Sequence, residues 1–220
     1  MAEGHLTAQP GLALPGKLAY DRVLFFSDGV FAIAITLLVV DIRVPSPASG
    51  KVDATTALHA ALPEIRSFAI SFAVIGLFWL GHHSMFGYIT VLNRTLMLLN
   101  LLFLATIAFL PYPTALLSGA VTGQVTATVF YAGCVAAAGL AEAAIWIYAI
   151  SARSLMRGQV NPRVRRYFLV RLLTFPLVFG LSIPVALADP QTADYLWLTL
   201  IPLAVIARRT MFRAEEAVEP

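Results

Sequence analysis

Six long apolar runs decide what this chain can fold into. Residues 23–43, 67–89, 96–118, 124–150, 167–188 and 194–207 each carry too few charges to form the outside of a soluble domain. A helix of about 20 apolar residues crosses the hydrocarbon core of a bilayer, and a helix satisfies its own backbone hydrogen bonds where water cannot. The runs are therefore predicted to be six transmembrane helices of an all-α membrane protein. Composition agrees: 59% of the 220 residues are hydrophobic and 12% are charged, against roughly 45–50% and about 25% in a soluble domain. The sixth run is the shortest and contains Pro202, so it is expected to borrow length from its flanks or to kink where the proline removes a backbone donor.

Around these spans the sequence divides simply. Residues 1–19, rich in Gly, Pro and Ala without periodicity, read as a flexible cytoplasmic leader; 20–208 as the six-helix transmembrane domain; 209–220 as a cytoplasmic tail. Asp21, Asp28 and Asp41 spoil the profile of a cleaved signal peptide. Between the first two spans, PSPASGKVD is turn chemistry and HAALPEIRSF leads into helix two. A tight connector around Asn93 and Arg94 joins helices two and three, and SGAVTG joins three and four, which predicts antiparallel neighbours.

With the N-terminus inside, all fifteen Lys and Arg residues except Arg43, Lys51 and Arg66 fall on the cytoplasmic side. That asymmetry gives both termini inside, as six spans require. The arginine-rich RSLMRGQVNPRVRR stretch then reads as a topology-marking loop touching anionic lipid heads. Nothing in a net charge of +3 calls for nucleic acid. The single Cys134 excludes an intrachain disulfide and a cysteine-based metal site, and reads as a small buried hydrophobe.

No GxSxG, HExxH, phosphate-binding glycine loop or usefully spaced carboxylate pair is present, so an enzyme is not expected. The TVGYG selectivity-filter signature is missing too. Chemistry concentrates instead in the first span, RVLFFSDGVFAIAITLLVVDI, where a polar cluster precedes an aliphatic run. At 100° per residue, Ile33, Leu37 and Val40 form one stripe, with Gly29 one turn before it and Thr36 at its border. Asp28 points about 140° away from Ile33 by the same arithmetic, so its carboxylate should meet neighbouring protein. An intramembrane charge is expected to have a partner.

FWLGHHSMF in the second span supplies candidates. Arg22, Ser27 and Asp28 are expected to form a hydrogen-bonded network with Trp79, His82 and Asn93 that sets how helix one leans on helices two and three. Metal or haem ligation by His82 and His83 is the alternative, but adjacent histidines diverge on a helix and no second cluster supports them, so no metal or cofactor is expected. Glu142, isolated in helix four, is open to different readings: a proton or ion station, or a residue that simply bonds a neighbouring helix or sits near water. Asn100 and Thr106 read as interhelical glue.

Arg22, Phe26, Ser27 and Asp28 fill every fixed position of the RxxxFSD first-helix signature of the transmembrane protein 175 potassium-channel family, which the chain resembles. FWLGHHSMF is similar to that family's W-x-x-H in helix two, and NLLFLATIAFLPYPT to its helix three. The resemblance covers residues 20–115 and is architectural beyond. It implies six helices per repeat and a bacterial chain of one repeat in the inner membrane. It also implies a homotetramer in the lipid bilayer around a pore lined by helix one, conducting potassium ions. Ile33 then stands at the hydrophobic constriction, with Thr36 facing the pore and Leu37 and Val40 completing the narrow zone. Arg22 and Phe26 lie within about 20° of Ile33 on the wheel, so Arg22 is open to an inner-mouth position as well as to the bracing network. Taken alone, the Ile33 stripe reads first as a lipid-facing or packing surface, since Ile, Leu and Val suit any membrane helix; the motif in register turns the reading to a pore lining. The rivals are a proton-leak pathway, suggested by the intramembrane acids and histidines, and a secondary transporter, which would be expected to show internal repeats.

Overall fold

The computed structural model describes residues 15–42, 53–119 and 124–198. They form eight helices: α1 (Pro15–Leu37), α2 (Ala54–Ala60), α3 (Leu62–Phe86), α4 (Arg94–Phe109), α5 (Pro111–Gly119), α6 (Gln124–Ser151), α7 (Pro162–Ala188) and α8 (Pro190–Leu198). A short 3-10 turn, Leu38–Asp41, extends α1, and another, Arg153–Leu155, follows α6. Five spans among the described residues are long and apolar enough to cross a membrane: Leu18–Val40, Leu62–Phe86, Arg94–Ser118, Gln124–Ser151 and Pro162–Ala188. These are the first five expected helices. The sixth, 194–207, begins within α8 and continues outside the described residues, as do the PSPASGKVD turn up to Val52 and most of the SGAVTG linker.

Local chemistry explains the boundaries. Helix α1 starts at Pro15, inside the leader expected to be unstructured, because proline's fixed φ and missing N–H suit a helix's first position. Asn93 caps α4 by accepting from Leu96 N at 2.8 Å, and Asn161 caps α7 just before Pro162. The third span breaks at Leu110, because Pro111 cannot donate to the preceding turn. That break has a consequence for packing. Helix α3 packs most closely on α5 and meets α4 through side chains such as His82 and Asn100, whereas α4 packs on α1 and α6.

The heart of the bundle is the α6–α7 pair. Gly139 of α6 lets Pro176 of α7 come close: a Cβ there would lie 2.7 Å from the proline Cδ and 2.9 Å from Phe175 Cβ. Aromatic rings fill the remaining space, with Trp146, Tyr131, Phe168 and Phe179 fully buried. Polar groups join the helices as well. Thr114 donates to Leu110 O, so its oxygen is free to accept from Ser71 at 2.8 Å, and Ser71 in turn accepts from the Tyr131 hydroxyl at 3.0 Å. This links α3, α5 and α6. Trp197 Nε1 donates to Ser182 Oγ at 2.9 Å and holds α8 on α7.

One end of the bundle gathers the start of α1, the end of α3, the start of α4 and the turn between α6 and α7. The Tyr20 hydroxyl donates to Phe86 O. Thr90 N donates to Leu155 O and Arg157 N to Tyr88 O, both at 2.9 Å. Cys134 is half-buried against the core and not fully enclosed as expected.

Candidate functional site

Helix α1 has two opposite faces. Ser27, Phe31, Ala34 and Leu38 are buried, at spacings of four, three and four residues that keep one side of a helix against the bundle. Ile33, Leu37 and Val40 are 61%, 46% and 70% exposed, although each is a large apolar side chain. Thr36 is exposed beside them, and its hydroxyl donates to Ala32 O and Ile33 O at 2.9 Å. The oxygen keeps acceptor capacity on this exposed face. Of the five spans, α1 is the least buried.

The inner face is held by a directed chain of hydrogen bonds. Asn100 Oδ1 can only accept, so His82 donates from Nε2 across 2.9 Å. Asn100 Nδ2 donates to Ser27 Oγ at 3.1 Å, and Ser27 donates to Val23 O at 2.9 Å. All three side chains are buried. The chain runs from α3 through α4 to α1 and ends on a backbone carbonyl. With an amide in the middle and a peptide oxygen at the end, these bonds tie the three helices together. His82 is further enclosed by Phe31, Phe86 and Phe103, with ring centroids 4.3–5.8 Å away.

A second brace lies one turn away. Trp79 Nε1 donates to Asp28 Oδ1 at 2.8 Å, which gives the carboxylate the protein partner that its direction on the wheel requires. His83 is exposed, with its ring 5.6 Å from that of Trp79. No group of three or more His, Cys, Asp or Glu side chains able to hold a metal occurs among the described residues.

Several expected members are placed differently. Asn93 does not join the network: its side chain caps α4 and its amide donates to Tyr148 OH at 2.8 Å, which ties the connector to α6. Arg22 and Phe26 are exposed, and the Arg22 side chain makes no hydrogen bond among the described residues. Both stand toward the Ile33 side, as the wheel also allowed. Asn100 is the central bridge and not generic glue, whereas Thr106 bonds within its own helix, to Phe103 O.

Glu142 is fully buried, and Oε1 has no hydrogen-bond partner. Its surroundings are not empty of charge, because Arg171 of α7 approaches it. The two meet in the space that Gly81 leaves open. A Cβ there would lie 2.6 Å from Glu142 Oε1 and 3.2 Å from Arg171 Nη2. Arg171 also donates to Leu77 O at 3.1 Å. It stands about 13 Å along α7 from its start, at 1.5 Å per residue, and so belongs to the interior and not to the basic cytoplasmic rim expected for it.

The family model described as the endosomal/lysosomal potassium channel TMEM175 matches residues 22–111. A protein of Streptomyces collinus named as a potassium channel is 40% identical over 178 residues, covering 76% of this chain and 85% of its own. One of Chamaesiphon minutus, also named as a potassium channel, is 37% identical over 165 residues, covering 70% and 79%. The mouse protein named as the endosomal/lysosomal proton channel TMEM175 is 41% identical over 105 residues, 44% of this chain and 21% of the mouse protein. Among solved structures, a lysosomal potassium-selective channel TMEM175 homolog from Chamaesiphon minutus matches with a TM-score of 0.71 at 27% identity. That match covers 88% of this chain and 98% of the other.

Proposed function

The chain belongs to the endosomal/lysosomal potassium channel TMEM175 family, and from that premise we propose that it is a potassium-permeable cation channel of the bacterial cell membrane. In this reading four copies assemble so that their α1 helices surround a common axis. The observation that carries it is the division of α1. One face is fastened by Ser27 and Asp28 to α3 and α4, while Ile33, Thr36, Leu37 and Val40 stay uncovered. A helix braced this firmly on one side presents a fixed surface on the other, as a pore lining requires.

A ring of Ile33 side chains forms the constriction. Apolar constrictions hold back hydrated ions by dewetting, so conduction requires widening, and the Thr36 oxygens supply partial replacement for lost hydration. Potassium gives up its water more readily than sodium, which favours potassium modestly. Ser27, Asp28, Trp79 and His82 position the lining and do not touch the ion. The end of the bundle that carries Arg22, Arg94, Arg153 and Arg163 faces the cytoplasm in this reading. No step needs a cofactor, and the activity is transport and not catalysis.

Potassium flux into proteoliposomes tests this, comparing wild type with Ile33→Asn under matched potassium and sodium gradients. Potassium-favouring flux that rises or loses selectivity in the variant is expected. Equal currents from the two proteins would remove Ile33 from the gate. The name of the mouse relative favours a second reading, a proton pathway; dye-reported proton flux without potassium separates it.

A further inference from the structure

We propose that the turn between α6 and α7 is a binding site for a phosphate-bearing anion, carried by a lipid headgroup or by a soluble polyphosphate. A cavity of about 430 Å³ opens there, lined by Arg153 and Arg165 together with Ile150, Met156, Gln159 and Val160. A loop that only marks topology needs charge on one side of the membrane and no particular shape. This loop has a shape, and its backbone is fixed from both sides. Thr90 N and Val91 N donate to Leu155 O, Arg157 N donates to Tyr88 O, and Ile89 and Met156 form an antiparallel bridge. Gly158, at φ +65°, takes the left-handed conformation that lets the chain turn around the cavity.

The electrostatics are one-sided. Arg153, Arg157, Arg163, Arg165 and Arg166 fall within this turn and the start of α7, and no Asp or Glu occurs between Glu142 and Asp189. Helix α7 has no acidic residue in its first turn. Its N-terminus already carries a partial positive charge, and the sequence adds arginines to it where carboxylates would be favourable. No ion pair relieves them among the described residues. A rigid concavity with two guanidinium groups in its wall matches a phosphate, which takes paired N–H donors from arginine's planar fork. Isolated phosphates and bis-phosphates share this chemistry, and two lining arginines favour the latter.

The test uses the full-length protein in detergent, with thermal unfolding read by tryptophan fluorescence. Cardiolipin and inorganic pyrophosphate are titrated separately, with phosphatidylcholine as the neutral comparison. The expected result is a saturable rise in unfolding temperature with at least one of the two phosphate probes. Arg153→Gln with Arg165→Gln should weaken the apparent affinity about tenfold or more, since each charge-assisted bond is substantial. Arg163→Gln with Arg166→Gln, which removes equal charge outside the lining, should leave it within about threefold. Gln159→Glu keeps every arginine and should weaken binding through repulsion alone, so a folding defect in the double variant does not decide the outcome. Stabilisation by cardiolipin alone identifies a headgroup, and stabilisation by pyrophosphate alone a soluble anion. Equal losses in the two double variants would show charge without a site and overturn the proposal, as would no saturable shift with either probe.

Discussion

Asn100→Leu isolates what holds the lining helix. Leucine repeats asparagine's branching with somewhat larger methyl groups, so the change removes two hydrogen bonds and opens no cavity. The bond from Asn100 to Ser27 is lost, but Ser27 still donates to Val23 O and leaves no orphaned proton. The bond from His82 is different, because its donor is buried among aromatic rings with nothing to replace Asn100 Oδ1. Interhelical side-chain bonds in membrane proteins average about 0.6 kcal/mol and reach about 1.7, whereas an orphaned buried donor costs about 1–3 kcal/mol. Added burial of the leucine offsets part of this, which leaves an expected destabilisation of about 1–2 kcal/mol. Unfolding of the purified protein in mixed micelles of increasing SDS content measures it. His82→Phe removes the stranded donor, so the double variant should be less destabilised than the sum of the singles. Additive effects, or a single variant within about 0.3 kcal/mol of wild type, would refute the claim that α1 is fastened through Asn100.

The other predictions concern separate contacts. Gly139→Ala must displace the Pro176 ring and Phe175; overpacking of about 1–3 kcal/mol outweighs the helix-propensity gain of about 1 kcal/mol. Gly133→Ala on the same helix meets nothing within 4 Å and should be neutral or stabilising in the same unfolding assay, so a reversed order would contradict the α6–α7 packing. Trp79→Phe keeps the ring but strands the Asp28 carboxylate, and should lower stability and change potassium flux together. Asp28→Asn, which keeps an acceptor, should do so less. Hydrogen bonds from the Thr192 hydroxyl and from the backbone N–H groups of Gln191 and Thr192 hold the Asp189 carboxyl below its usual range. Its contribution to capping α8 is therefore complete above the ordinary aspartate value of about 3.9 and is lost as pH falls through the lowered one. Amide exchange at Thr192 should accelerate over that interval, and Asp189→Asn should remove the dependence.

How far these features were legible in the sequence depends on the distance over which each signal acts. The spans were legible because a bilayer imposes a length and a composition that any window of the chain displays. The division of α1 was legible because the helical repeat places Ser27 and Asp28 away from Ile33, and lipid makes an unpartnered carboxylate costly enough to require Trp79 or something like it. Asn93 misled for a specific reason: an asparagine before Arg94 satisfies both a turn and a polar network by composition, and only the α4 N–H groups decide between them. Asn100 was visible as a polar residue in an apolar helix, but its two partners sit 73 and 18 residues away. The Glu142–Arg171 approach depends on Gly81, a residue of a third helix whose only signal is the absence of a side chain. Periodicity reports which way one helix faces, whereas contacts among three helices depend on crossing geometry that no single stretch encodes. That is also why the arginine-rich turn read only as charge. Its concavity is made by backbone bonds to residues 88–91, and a backbone bond leaves no trace in the side chains of either partner.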